Sequence, residues 1–288
     1  MARTSSNTES SPAHGKRTVT SRRTAGRMGP AALALLAWAG CSYGDVAEEG
    51  ELDVAQDQSG EAGGGACVVG GTQEDVIRGS GTSVTLGLPL ADFTGIDATC
   101  VYEVQAVRAD AFEVTIEVDD NLAEFLDVRV EDGKLVLDVQ PGTFEFTQLR
   151  ALVSLPQLDD FDVSGAADLN VTGFVSNQPL VALTSADATA TGDIVAGDTQ
   201  VLAAGNSRVT LAGSGNDLQL EASGSASVDL RDYPVQDVAA DVDGASESIV
   251  HVEGRLDAVA SGFASLRFLG DPELGVIEEN ALGSVEPF

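Results

Sequence analysis

The sequence predicts an all-β protein, a β-helix-like solenoid of about six rungs of 18–21 residues preceded by an N-terminal region of strands. Three observations carry this expectation. A small turn residue, usually Gly after Ser, recurs at Gly165, Ala186, Gly205, Gly224, Gly244 and Gly262, in steps of 21, 19, 19, 20 and 18 residues. An alternating apolar pair follows most of these turns. Helix signals are scarce, whereas short β-type runs are many. A period near 20 residues marks a stack of similar units, none of which buries enough apolar surface to fold alone. An open sandwich or barrel is the alternative that many short strands allow.

The strand region comes first. Ser83–Leu88 alternates apolar and polar residues, as does Phe112–Val118, so each presents one apolar face. Phe93–Ile96, Val101–Val107 and Leu149–Leu155 read as further strands. Asn121–Leu126 is expected to make a short helical turn. Val128–Val130 and Leu135–Leu137 flank Asp132-Gly133, the dipeptide of a tight hairpin.

The rungs follow. Two positions before each turn stand Val163, Thr184, Ala203, Ala222, Val242 and Ala260, all small or β-branched. Four and six positions after it stand Leu169 and Val171, Val209 and Leu211, Val228 and Leu230, and Leu266 and Phe268. The copy after Ala186 has Ala190 and Gly192, and the copy after Gly244 is expected to shift by two, to Val250 and Val252. Period two puts each pair on one strand face, so stacking makes apolar ladders. Gly suits the corners because it accepts positive φ.

The segments around this core suggest export. Residues 1–40 read as a lipoprotein-type signal peptide: Arg22, Arg23 and Arg27 precede the apolar run Pro30–Gly40, which is too short to span a bilayer as a helix. The run ends at Cys41 after Ala39 and Gly40, resembling a bacterial lipoprotein signal in which that Cys is lipidated. Trp38 stands where such signals usually carry an aliphatic residue, and ordinary secretion with nearby cleavage is the alternative. By resemblance to lipoprotein sorting in some bacteria, Ser42 rather than Asp after Cys41 implies release to the outer membrane, and the expected location is the outer membrane or periplasm. Residues 41–75, rich in Gly, Glu, Asp, Ala and Gln, read as a flexible acidic tether. The solenoid domain is expected over 76–270, with 271–288 as a C-terminal cap or tail. In an oxidising compartment Cys67 and Cys100 either pair in a disulfide or stand as two small apolar side chains.

Charge narrows the function. The chain has 46 acidic and 15 basic residues. Six of the basic residues lie before residue 41 against Glu9 alone, so the remainder carries 9 basic and 45 acidic residues, a net of −36. Such a surface repels nucleic acid and anionic membrane faces. The membrane contact expected is the lipid anchor, and the expected partner is an envelope or surface protein or glycan.

Phe93-Thr94-Gly95-Ile96, the segment Val130–Leu137 and the corners Ser164-Gly165, Ser223-Gly224 and Ser261-Gly262 resemble the head GIN domain family. The resemblance covers about residues 80–270. It implies a right-handed β-helix-like solenoid in an exported or lipid-anchored bacterial protein, an adhesin head of autotransporter type. Ser185-Ala186, Ala204-Gly205 and Asp243-Gly244 depart from the Ser-Gly corner. The family supplies no catalytic residues to carry over.

The residues themselves carry little chemistry. His251 is the one histidine after the signal, and its neighbours Val250 and Val252 aim it outward. Neither a zinc-ligand spacing nor a phosphate loop occurs, and Gly213-Ser214-Gly215 reads as a turn. The pairs Asp119-Asp120, Asp159-Asp160 and Glu278-Glu279 would point to opposite strand faces and make poor acid–base couples. No cofactor and no catalytic residue is expected. Two alternatives to a non-enzymatic surface protein stay open. One is a β-helix enzyme acting on polysaccharide, although no Trp remains for sugar stacking once Trp38 is removed. The other is a calcium-dependent module, with Asp241, Asp243 and Glu247 as the candidate cluster.

Overall fold

The computed structural model describes residues 66–69 and 76–288. The first ten strands are β1 (Ala66–Val69), β2 (Val76–Arg78), β3 (Ser83–Leu88), β4 (Gly95–Ala98), β5 (Glu103–Arg108), β6 (Glu113–Asp119), β7 (Leu126–Glu131), β8 (Lys134–Val139), β9 (Gly142–Glu145) and β10 (Leu149–Leu155). Folded structure therefore reaches back to Ala66, inside the stretch read as tether, where β1 pairs antiparallel with β9.

Fourteen more strands form the stack: β11 (Asp160–Val163), β12 (Asp168–Val175), β13 (Leu180–Thr184), β14 (Thr189–Val195), β15 (Thr199–Ala203), β16 (Arg208–Ser214), β17 (Leu218–Ala222), β18 (Ser227–Val235), β19 (Val238–Val242), β20 (Glu247–Val252), β21 (Arg255–Ala260), β22 (Ser265–Leu269), β23 (Glu273–Glu279) and β24 (Ser284–Pro287). Odd-numbered strands from β11 join a ten-stranded sheet and even-numbered ones an eleven-stranded sheet, all in parallel register. This is a two-sheet β-solenoid with one continuous apolar core between the sheets.

The base of the stack is built out of order. β4 and β5 form a rung of their own, and the chain then leaves the stack for β6 to β10 before returning at β11, which pairs with β4. The excursion closes the lower end of the core. β10 runs parallel to β5 and antiparallel to β6, while the β7–β8 hairpin turns through Asp132 (φ 49) and Gly133 (φ 80). The expected helical turn is a 3-10 turn at Ala123–Phe125. Asp119, 1% exposed, ties this base together by accepting hydrogen bonds from the backbone of Gly81 (2.9 Å), Thr147 (2.8 Å) and Gln148 (3.3 Å), and from the Thr147 hydroxyl. Burial works to raise its pKa, but those hydrogen bonds outweigh it and hold the carboxyl below its ordinary range.

The six corners expected from the sequence all adopt positive φ, from 60° at Ala186 to 77° at Gly244. Cys100 (φ 67) and Ala281 (φ 61) extend the column by one corner at each end. Each corner hydrogen-bonds the next along the stack: the carbonyls of Cys100, Gly165, Ala186 and Gly205 accept from Ala166, Asp187, Asn206 and Ser225 at 2.7–2.8 Å. Glycine is favoured here for two reasons. The backbone is left-handed, and a Cβ on Gly224 would lie 2.8 Å from the Gly205 carbonyl oxygen.

Val163, Thr184, Ala203, Ala222, Val242 and Ala260, the small or β-branched residues two before each corner, are all buried. One expectation is corrected. The copy after Gly244 does not shift by two: Ser248 stays in line with Val228 below and Leu266 above, and Val250 with Leu230 and Phe268. The corner column and backbone ladder set the register, so a serine enters the apolar ladder rather than the strand slipping. Ser248 is 1% exposed, and its hydroxyl has no hydrogen-bond partner. Differences in rung length are absorbed further along the strand. In β18 the register jumps between Leu230 and Pro234, which buries Tyr233 with its hydroxyl 2.9 Å from Thr199 Oγ1.

Candidate binding surface

Because side chains alternate along each strand, every rung sends half of its strand residues outward. Parallel register then aligns those residues into columns along the stack. On the ten-stranded sheet one column runs Asp97, Asp162, Leu183, Leu202, Glu221, Asp241, Val259 and Glu278. Below Asp97 it continues through Val136 to Arg129, which is paired with Asp127 and Glu131; from Asp97 to Glu278 it contains no basic residue. The neighbouring column includes Asp160, Val181, Gln219, Ala239 and Asp257. Its acids are already partnered, Asp160 by Lys134 and Asp257 by Arg255 at 2.7 Å. Ala239 is small, so the surface dips there into a shallow depression of about 320 Å³ rimmed by Gln219, Glu221, Asp241, Asp257 and Val259.

The electrostatics of this face are uneven. Burial pushes the Asp97 carboxyl up to about 6, with Asp162 and Asp138 adding to the effect and Lys134 and Arg129 opposing it. Burial also raises Asp162, with Lys134 countering it. Asp257 is the opposite case: hydrogen bonds from Arg255 and the Val276 backbone lower it to about 2. Negative charge at Asp97 and Asp162 is thus poorly compensated, whereas at Asp257 it is fully answered.

The eleven-stranded sheet presents a different outer face. Its central column runs Asn170, Thr191, Thr210, Asp229, Ile249 and Arg267. Charges there are largely paired, Arg150 with Glu103 at 2.9 Å and Arg231 with Asp229 at 2.8 Å. Arg231 and Arg267 each lie 5.1 Å from the ring centre of Phe288. His251 lies on this face, with Nδ1 3.0 Å from the Arg231 carbonyl oxygen.

The residues singled out in the sequence fall in three groups. Cys41 and the signal segment lie outside the described residues. Cys67 and Cys100 are joined by a disulfide with their Cα atoms 5.3 Å apart, which fastens β1 to the first corner of the stack. Asp241, Asp243 and Glu247 are all exposed on separate parts of one rung. Among the described residues no three His, Cys, Asp or Glu side chains come together to hold a metal ion. Of the adjacent acidic pairs, Asp119 is buried at the end of β6 and Asp120, just beyond the strand, is exposed; the burial of Asp119 directly after the inward Val118 departs from strand alternation, and its hydrogen bonds from Gly81, Thr147 and Gln148 hold it there. Sequence reading missed the alignment of Asp97, Asp162 and Glu221, which are far apart in the chain. The available signal was Asp160-Phe161-Asp162, a buried aromatic between two outward acids.

Residues 92–272 match the family model described as "putative auto-transporter adhesin, head GIN domain". The chain belongs to the head GIN domain family. No functionally curated protein matches the sequence. Among solved structures, a putative adhesin from Bacteroides fragilis is similar at 18% identity and a TM-score of 0.66, covering 74% of this chain and 100% of its own. A putative adhesin from Parabacteroides merdae is similar at 17% identity and a TM-score of 0.61, covering 75% of this chain and 100% of its own. A putative lipid binding protein from Parabacteroides distasonis is similar at 16% identity and a TM-score of 0.57, covering 74% of this chain and 100% of its own. At such identities the likeness speaks for the fold.

Proposed function

We propose that this head GIN domain protein is a non-enzymatic, lipid-anchored protein of the bacterial envelope that displays its solenoid for adhesion or partner binding. The observation that carries the reading is the division of labour in the fold. Inward side chains form one continuous apolar core, so recognition falls to the two broad outer faces. Membership of an adhesin-type family supports the same role. Cys41 would carry the lipid, and the acidic segment after it would hold the solenoid away from the membrane surface.

Two experiments test this. Deleting the gene should reduce attachment of the cells to surfaces or neighbouring cells, and unaltered attachment would count against adhesion. A Cys41→Ala variant should lose labelled palmitate and leave the membrane fraction. Retention of both would remove the anchor from the proposal. Turnover of any member of a polysaccharide panel by the pure protein, abolished by mutating a carboxylate cluster, would replace the reading with an enzymatic one.

A further inference from the structure

We propose that the outer face of the ten-stranded sheet docks an extended cationic segment of a partner protein, laid along the stack with two pairs of basic side chains flanking an apolar one. The inference rests on the partner-binding role above and assigns it a surface and a chemistry.

The in-register column Asp97, Asp162, Leu183, Leu202, Glu221, Asp241 reads acid, acid, apolar, apolar, acid, acid. Strands in a sheet are about 4.8 Å apart, so its five steps span about 24 Å. An extended peptide advances about 3.3 Å per residue and sends every second side chain to one face. Basic residues at positions i, i+2, i+6 and i+8, with an apolar residue at i+4, span about 26 Å. Such a segment would set its first two cations against Asp97 and Asp162, its apolar side chain over Leu183 and Leu202, and its last two cations against Glu221 and Asp241.

Two features argue for a cationic occupant. Like charges directly opposite one another on neighbouring strands are destabilising. The column contains two such contacts, Asp97 with Asp162 and Glu221 with Asp241. The neighbouring cations are engaged elsewhere, Lys134 with Asp160, Arg129 with Asp127 and Glu131, and Arg255 with Asp257. The carboxylates stand in a row at strand spacing, which suits a chain of cations better than a single ion. Leu183 and Leu202 are half-buried and offer apolar contact between the acid pairs.

The test uses the intact chain and the peptide Lys-Thr-Lys-Thr-Leu-Thr-Lys-Thr-Lys, measured by calorimetry at low salt. A peptide of the same composition with clustered lysines, Lys-Lys-Lys-Lys-Leu-Thr-Thr-Thr-Thr, serves as the spacing control. The double variant Asp162→Asn, Glu221→Gln should bind about tenfold more weakly. The double variant Asp168→Asn, Glu247→Gln removes the same charge from the other sheet and should change binding less than twofold. Exposed Asp241→Asn gives a second readout, with about threefold weakening, should the first variant fail to fold. Equal weakening by both double variants would mean general attraction to an acidic protein and would overturn the proposal. So would equal affinity for the two peptides, or no binding to either. The outcome is separable from the adhesion test, because docking of the peptide would stand even if attachment were unaltered.

Discussion

Replacing Asp97 by Asn should stabilise the protein at neutral pH. Asp97 sits half-buried on β4 beside Asp162 and Asp138, and its carboxyl is pushed up to about 6. An ordinary aspartate titrates near 4, and each tenfold difference corresponds to about 1.4 kcal/mol. Taken at face value the gap is worth about 3 kcal/mol against the folded state at pH 7. Asp97 keeps contact with solvent, which screens the effect, so the expected gain is about 1 kcal/mol. The sign follows from linkage. A carboxyl whose folded pKa lies above its unfolded one binds more protons when folded, so stability falls as pH rises from about 4 to about 6. The neighbouring charges Asp162, Asp138, Lys134 and Arg129 enter the same balance. Urea unfolding of the two proteins at pH 7 and at pH 4 measures it. A gain at pH 7 that shrinks to a few tenths of a kcal/mol at pH 4 supports the reasoning. Destabilisation at pH 7, or an equal gain at both values, would refute it.

Three further outcomes are expected. Asp119→Ala orphans donors from Gly81, Thr147 and Gln148 and should lower stability by about 3 kcal/mol in chemical denaturation. Asp119 has the opposite linkage: its folded pKa is depressed, so its contribution holds above about pH 4 and is lost as pH falls through the depressed value, a loss the variant should not show. Reducing the Cys67–Cys100 disulfide, whose cysteines are 33 residues apart, should cost about 4 kcal/mol by loop-closure entropy, read as a lower denaturation midpoint. At the corners a reciprocal pair is expected: Gly224→Ala should destabilise by about 1–2 kcal/mol, and Ala186→Gly should stabilise by about 0.5 kcal/mol, by melting temperature. A neutral Gly224→Ala would mean that the corner column tolerates side chains freely.

What the sequence determined by itself is the local grammar of the stack. Small corner residues and period-two apolar pairs are properties of consecutive residues, so the rungs from Gly165 to Gly262 are legible in the chain, as is the Asp132-Gly133 hairpin. The corners at Cys100 and Ala281 were not, because neither carries the glycine signal, and the neighbouring rungs hold them in left-handed backbone. Ser248 shows the same limit: by hydrophobicity alone the strand would slip, and the hydrogen-bonded ladder prevents it. The tertiary structure alone decided that β4 and β5 are the first rung, since the chain makes the whole excursion through β6 to β10 before β11 returns to pair with β4. It also decided the acidic and apolar column from Asp97 to Asp241. That column runs across the strands, and side chains one strand apart in space are a full rung or more apart in sequence. A pattern read along the chain sees only one of its members at a time.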